Sequence, residues 1–239
     1  MMNRKNIISS LVLVGVMILL LGCTHGVRGT GPAVARDFEI EDFTALEIRG
    51  AYNVIWRQRD SVSVTVEMQE NLFDYLQVSV EEDTLYINST RNFNTRNSNR
   101  PRIYIYTPDL ELVSFYGAIN AENWDTVSGE SFSIYGSGAT NVDITLEVET
   151  LDLDLAGAGN FTLSGNADVA NIAIVGAANV SARNLQIEDA NIDLDGAGEV
   201  DVAVSDRLNV DMFGAGRVRY SGDPVVYRNI SGLGRLVQR

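Results

Sequence analysis

The chain is 239 residues long, 45% hydrophobic, and carries a formal net charge of −14 at pH 7. That length and apolar content suffice for one sizeable core. The acidity argues against nucleic acid and against anionic head groups, which are met through basic contacts, and a single cysteine excludes an intrachain disulfide.

Residues 1–22 read as an export signal. Arg4 and Lys5 give a positive start, and Ile7 to Leu21 are almost continuously apolar. The run is short for a membrane span, which needs about 20 apolar residues. It ends in Leu20-Leu21-Gly22-Cys23, which resembles the lipobox of bacterial lipoproteins. Cys23 is therefore expected to be lipidated and to hold the protein to a membrane of the cell envelope, the outer membrane being the expected one. Loss of Arg4 and Lys5 would take the net charge from −14, by two positive charges, to −16. Residues 23–36 contain glycines, a proline and little apolar character, and read as a lipidated flexible tether. Residues 37–239 then form one domain.

The domain opens with Phe38 to Ile48, followed by Gly50, Asn53, Val54 and Trp56. An insertion spans about residues 57–109. Within it Ser61 to Val66 alternates as a strand, Glu70 to Leu76 is a short helical link, and Leu76 to Val80 forms a hairpin with Thr84 to Ile87 through Glu81-Glu82-Asp83. Asn92 to Arg100 is polar and reads as a loop, and Arg102 to Tyr106 is the returning strand. The insertion is expected to cover one end or one side of the domain, where a bare sheet edge would invite aggregation.

From Leu110 onward one phrase repeats. Its first glycine is read at Gly117, Gly136, Gly157, Gly176, Gly196, Gly214 and Gly232, with steps of 19, 21, 19, 20, 18 and 18 residues. Four before the glycine stand Val113, Phe132, Leu153, Ile172, Ile192 and Val210; two before it stand Phe115, Ile134, Leu155, Ile174, Leu194 and Met212. Between them stand Ser114, Ser133, Asp154, Ala173, Asp193 and Asp211. Side chains alternate across a strand, so the first two sets point inward and the third points to solvent. The Gly-x-x segment is then a corner between two strands. The predicted fold is all-β: a single parallel β-helix or β-solenoid of about 18–21 residues per turn, with a hairpin-rich insertion near its N-terminus. Six coil steps at about 4.8 Å span roughly 29 Å. The last turn is degraded, with Arg228 at an inward position, as a terminal coil should be.

The opening Phe43-Thr44-Ala45-Leu46-Glu47-Ile48-Arg49-Gly50 with Asn53-Val54, the hairpin insertion and the repeated Gly-Ala-Gly-Asn phrases resemble the bacterial family of auto-transporter adhesin head GIN domains. The resemblance covers about residues 38–237. It implies a right-handed parallel β-helix on an exported, often lipid-anchored protein. It carries over no binding residue.

The chemistry available is narrow. His25, the only histidine, lies in the tether, and Cys23 is the anchor, so no Ser-His or Cys-His nucleophile and no zinc cluster is expected. No catalytic residue, metal or cofactor is predicted. The enzymatic alternative is a polysaccharide lyase or hydrolase using the outward acids Asp154, Asp193 and Asp211, with Asp152 and Asp195 nearby; it requires a cleft of clustered Asp and Arg. The bland reading is that outward strand positions must be polar. A hexapeptide acyltransferase is disfavoured by the missing six-residue rhythm and domain histidine.

Three after the glycine, Asn53, Asn120, Asn160 and Asn179 are expected to stack as a hydrogen-bonded ladder, followed by Glu199, Arg217 and Arg235. Tyr116 and Tyr135 precede corner glycines in adjacent turns, and Phe213 holds the same place later. Aromatics there suit stacking on sugar rings or packing against a partner, and cover by the inserted hairpin is the alternative. These three are the predicted ligand contacts. The reading is a non-catalytic adhesion or envelope-interaction protein, with a glycan or an envelope or surface protein as partner.

Overall fold

A computed structural model describes residues 26–94, 100–123 and 125–239. The signal segment, Cys23 and His25 lie outside the described residues, as do residues 95–99 of the expected loop. The chain is a β-solenoid of about 6 turns. Each turn presents a first face before the corner glycine and a second face after it, and it bends again where the pairing register shifts, as between Thr162 and Ser164.

On the first face, β3 (Ala45–Gly50), β10 (Leu112–Gly117) and the long β12 (Val127–Gly176) stack in parallel, placing Leu46 beside Val113 and Ile48 beside Phe115. The stack continues through β13 (Asn179–Gly196), β14 (Glu199–Gly214) and β16 (Val225–Gly232), with Ile172, Ile192 and Val210 in one inward row. On the second face, β4 (Asn53–Gln58), β11 (Asn120–Asn123), β12, β13, β14, β15 (Arg217–Ser221) and β17 (Arg235–Gln238) continue the same order. The inward residues are sealed: Leu46, Ile48, Val113, Phe115, Leu194 and Val200 are all fully buried. Each such side chain contributes about 1.5–3 kcal/mol relative to exposure, and each finds that burial only against the coils above and below it.

The corner in the third coil is Gly138, not Gly136. Gly117 pairs with Gly138, and Gly136 stands opposite Phe115 on the strand. The physical reason lies in the backbone. Gly138 has φ +108°, and a Cβ on it would lie 2.6 Å from the Gly117 carbonyl oxygen, whereas Gly136 has no such conformation. Phe132 and Ile134 therefore sit two places off the rows assigned to them from sequence, although both remain buried. Tyr135 consequently does not precede a corner; it pairs beside Ser114.

The insertion covers the N-terminal end by extending the stack there, and its 3₁₀ turn buries Leu72 and Phe73 in the core. β7 (Thr84–Ser89) pairs in parallel with β3, and β9 (Arg102–Thr107) pairs in parallel with β4. β6 (Leu76–Glu81) and β5 (Ser63–Gln69) then add antiparallel to these, and a 3₁₀ turn spans Glu70–Tyr75. The hairpin turn at Glu82 and Asp83 uses positive φ angles of 48° and 60°. Part of the expected tether is also structured. β1 (Val27–Arg28) pairs with β8 (Phe93–Asn94), and β2 (Ala33–Phe38) runs antiparallel along β5. At the other end Arg228 pairs beside Val210 but is exposed, as expected of a terminal coil.

Candidate functional site

The outward side of the first face divides into two regions. Near the N-terminal end, the Arg49 guanidinium lies 4.0 Å over the Tyr116 ring, and Tyr116 contacts Tyr135 with centroids 5.5 Å apart and planes tilted by 45°. Arg49 Nε donates to Glu47 Oε1 at 2.6 Å, and this bond pushes the guanidinium pKa above its ordinary value. The strand geometry creates the cluster: Arg49 and Tyr116 pair in adjacent coils, and Tyr135 lies diagonally one coil further on. Both tyrosines are half-buried, held against neighbouring side chains rather than under the inserted hairpin. Phe213 is not brought to them. It is 67% exposed, beside Asp195 and Ser231, about 24 Å further along at roughly 4.8 Å per coil.

Toward the C-terminal end the same face becomes acidic and amide-rich. Asp154, Asp193 and Asp211 are exposed in one row, with Ala173 between the first two. Beside it runs a ladder that the sequence reading missed. Asn171 Nδ2 donates to Asp152 Oδ1 at 2.8 Å, Asn191 to Asn171 at 2.8 Å, and Asn209 to Asn191 at 2.7 Å. The two rows line a shallow concavity of about 380 Å³, whose lining has carboxylates and amides but no arginine. Among the described residues no three or more Asp, Glu, His or Cys groups converge to hold a metal.

The second face carries the expected asparagine ladder, one rung longer than expected. Asn120 Nδ2 donates to Asn53 Oδ1, Asn141 to Asn120 and Asn160 to Asn141, each at 3.0 Å; Asn179 donates to Asn160 at 3.2 Å. Asn141 stands three beyond the true corner, Gly138, which is why an alignment on Gly136 passes over it. Arg102 flanks Asn53 at one end. At the other, Glu199 meets Arg217 at 3.7 Å and also holds Arg219. An amide has two N–H donors. Asn120, Asn141, Asn160 and Asn179 each spend one on the ladder, and Asn53, Asn120, Asn141 and Asn160 line a concavity of about 410 Å³. Such rows suit hydroxyl-rich or other hydrogen-bonding polymers more than a single reacting bond.

Comparison with known proteins agrees with this architecture. No curated protein matches the sequence. A putative adhesin from Bacteroides fragilis superposes with a TM-score of 0.83 at 22% identity, covering 90% of this chain and 100% of that one. A putative adhesin from Parabacteroides distasonis gives 0.68 at 21% identity, covering 89% and 99%. A protein from the same organism described as a putative lipid binding protein gives 0.66 at 22% identity, with the same coverage. At these identities the likeness is one of fold. The sequence pattern of one family matches residues 42–224, and the chain belongs to that family, described as "Putative auto-transporter adhesin, head GIN domain".

Proposed function

We propose that the protein is exported, loses residues 1–22, is anchored through a lipid on Cys23, and works without catalysis in adhesion or envelope interaction. Its partner would be a glycan or an envelope or surface protein, met on the first face around Tyr116 and Tyr135. The observation that carries this reading is the Arg49–Tyr116–Tyr135 cluster, an aromatic surface on a rigid sheet. The family description supports adhesion and an exported or cell-surface setting. Phe213, remote from the cluster, would be a separate contact.

The enzymatic alternative would place hydrolysis or elimination at Asp154 and Asp193. The arginine-free lining of their concavity speaks against it.

The test is a glycan array with a polysaccharide-depolymerisation screen on protein beginning at Thr24. That start keeps β1, which pairs with β8, and β2, which pairs with β5. Saturable binding without product, weakened by Tyr116→Ala and Tyr135→Ala, is expected. Oligosaccharide release abolished by Asp154→Asn or Asp193→Asn would overturn the reading. Labelling with a radioactive fatty acid, lost in Cys23→Ser, tests the anchor.

A further inference from the structure

Both sheets are open at both ends. The first-face sheet runs from β6 through β7, β3, β10, β12, β13 and β14 to β16, and the second from β2 through β5, β9 and β4 to β15 and β17. Strands β6 and β2 therefore edge one end of the solenoid, and β16 and β17 edge the other. An unpaired edge is a template for another strand. The core also thins at these ends, although Leu72 and Phe73 of the 3₁₀ turn stay buried beside β2 and β6. Val226, Ile230 and Leu236 continue the inward rows of the last coil but are only half-buried, and so are Leu76, Val78 and Val80 on β6.

The two ends carry opposite charge in a chain that is acidic as a whole. Residues 217–239 hold five arginines and one acid, Asp223. At the other end Glu39, beyond β2, and Glu81, at the tip of β6, are exposed beside further acids at Glu41, Asp42, Glu82 and Asp83. Arg217, Arg219 and Arg239 are engaged with acids of their own molecule. Arg228 on β16 and Arg235 on β17 form no ion pair among the described residues, and neither do Glu39 and Glu81.

We propose that these ends are the two halves of one heterologous interface, and that the occupant is a second copy of this chain. The edges β16 and β17 of one copy would receive β6 and β2 of the next, continuing both strand faces head to tail. Joining like ends would instead oppose arginine to arginine or acid to acid. A head-to-tail contact that does not close into a ring produces an open filament. The inference is independent of any ligand on the first face.

Sedimentation velocity on purified chain carrying Cys23→Ser, so that no acyl group contributes, tests it. Weight-average mass should rise above that of the monomer with concentration and fall back in high salt, which screens surface charge. Two further variants make the ends alike: Arg228→Glu with Arg235→Glu, acidic at both, and Glu39→Arg with Glu81→Arg, basic at both. Each alone should remain monomeric, and an equimolar mixture should assemble again, because mixing restores opposed ends. A misfolded variant would give no such rescue. A monomeric wild type at all concentrations, assembly indifferent to the reversals, or a mixture that stays monomeric while both variants keep the wild-type circular dichroism and urea midpoint, would each overturn the proposal.

Discussion

Asn120 Nδ2 donates to Asn53 Oδ1 at 3.0 Å, joining coils that are 67 residues apart in sequence. The insertion intervenes along the chain, yet the ladder passes across it without a missing rung. The spatial period survives because β4 and β11 pair directly.

The central rungs should matter most. Asn141 donates to Asn120 and accepts from both the side-chain and backbone nitrogens of Asn160. Asn179 only donates, to Asn160. A net hydrogen bond contributes about 0.5–1.5 kcal/mol, less when exposed. Asn141→Ala should therefore cost about 1–2 kcal/mol and Asn179→Ala well under 1 kcal/mol, read from urea midpoints at unchanged m-value. Equal costs would remove the ladder as a source of stability.

The corner assignment has its own test. Gly138→Ala forces a side chain into a left-handed conformation and against a carbonyl oxygen 2.6 Å away, and should cost about 2 kcal/mol or more. Gly136→Ala meets only the ends of Leu155 and Phe161 side chains, at 3.0 and 3.2 Å. Its cost should be clearly smaller in the same thermal or urea denaturation. A reversed order would restore Gly136 as the corner.

Tyr52 supplies a pH dependence. Burial pushes its phenol pKa up to about 12 from 10.0. With the folded pKa raised, the unfolded chain loses its proton first as pH rises. Stability from this group is thus complete below pH 10 and is lost between pH 10 and 12. The stability of wild type relative to Tyr52→Phe should fall by up to about 1.4 kcal/mol per pH unit in that window. Urea unfolding of both proteins between pH 8 and 11 measures it, and a constant difference would refute it.

Asp201 fastens the last coil. Its side chain is 5% exposed, accepts from Arg183 Nη2 at 3.1 Å, and also holds Arg239, 38 residues further along. Removing one partner of a buried pair costs about 3–5 kcal/mol; with Arg183 54% and Arg239 37% exposed, Asp201→Ala should cost about 1–3 kcal/mol. Arg239→Ala should cost less globally but speed amide exchange in β17. Unchanged exchange there would show that the clamp does not restrain the coil.

Much of this fold was legible in the sequence because a stacked coil repeats its inward rows at nearly constant spacing. Leu153, Ile172, Ile192 and Val210 declare the solenoid, and Asn160 and Asn179 declare a ladder. Gly136-Ser137-Gly138 misled because either glycine satisfies the phrase. The arbiter was Asn141, three residues beyond the second. β2 was hidden because its pairing with β5 is antiparallel and remote, and Ala33 to Asp37 carries only one large apolar residue. The Asp152–Asn209 ladder was hidden among outward polar positions, where solvation alone is a sufficient reason for Asn. The Arg49–Tyr116 contact depended on pairing across the insertion, which no local pattern encodes.

The insertion between β4 and β10 also bears on the order of assembly in time. Coils from Gly138 to Gly232 close over short stretches of chain, whereas β10 must find β3 across the whole insertion. Longer loops cost more closure entropy, and non-local pairings form later. The middle coils should therefore fold first and offer a finished edge on which the N-terminal strands condense. Pulse-labelled amide exchange should show protection in residues 151–176 before residues 45–58. The end through which the chain would be tethered would then be the last part of the molecule to become structured.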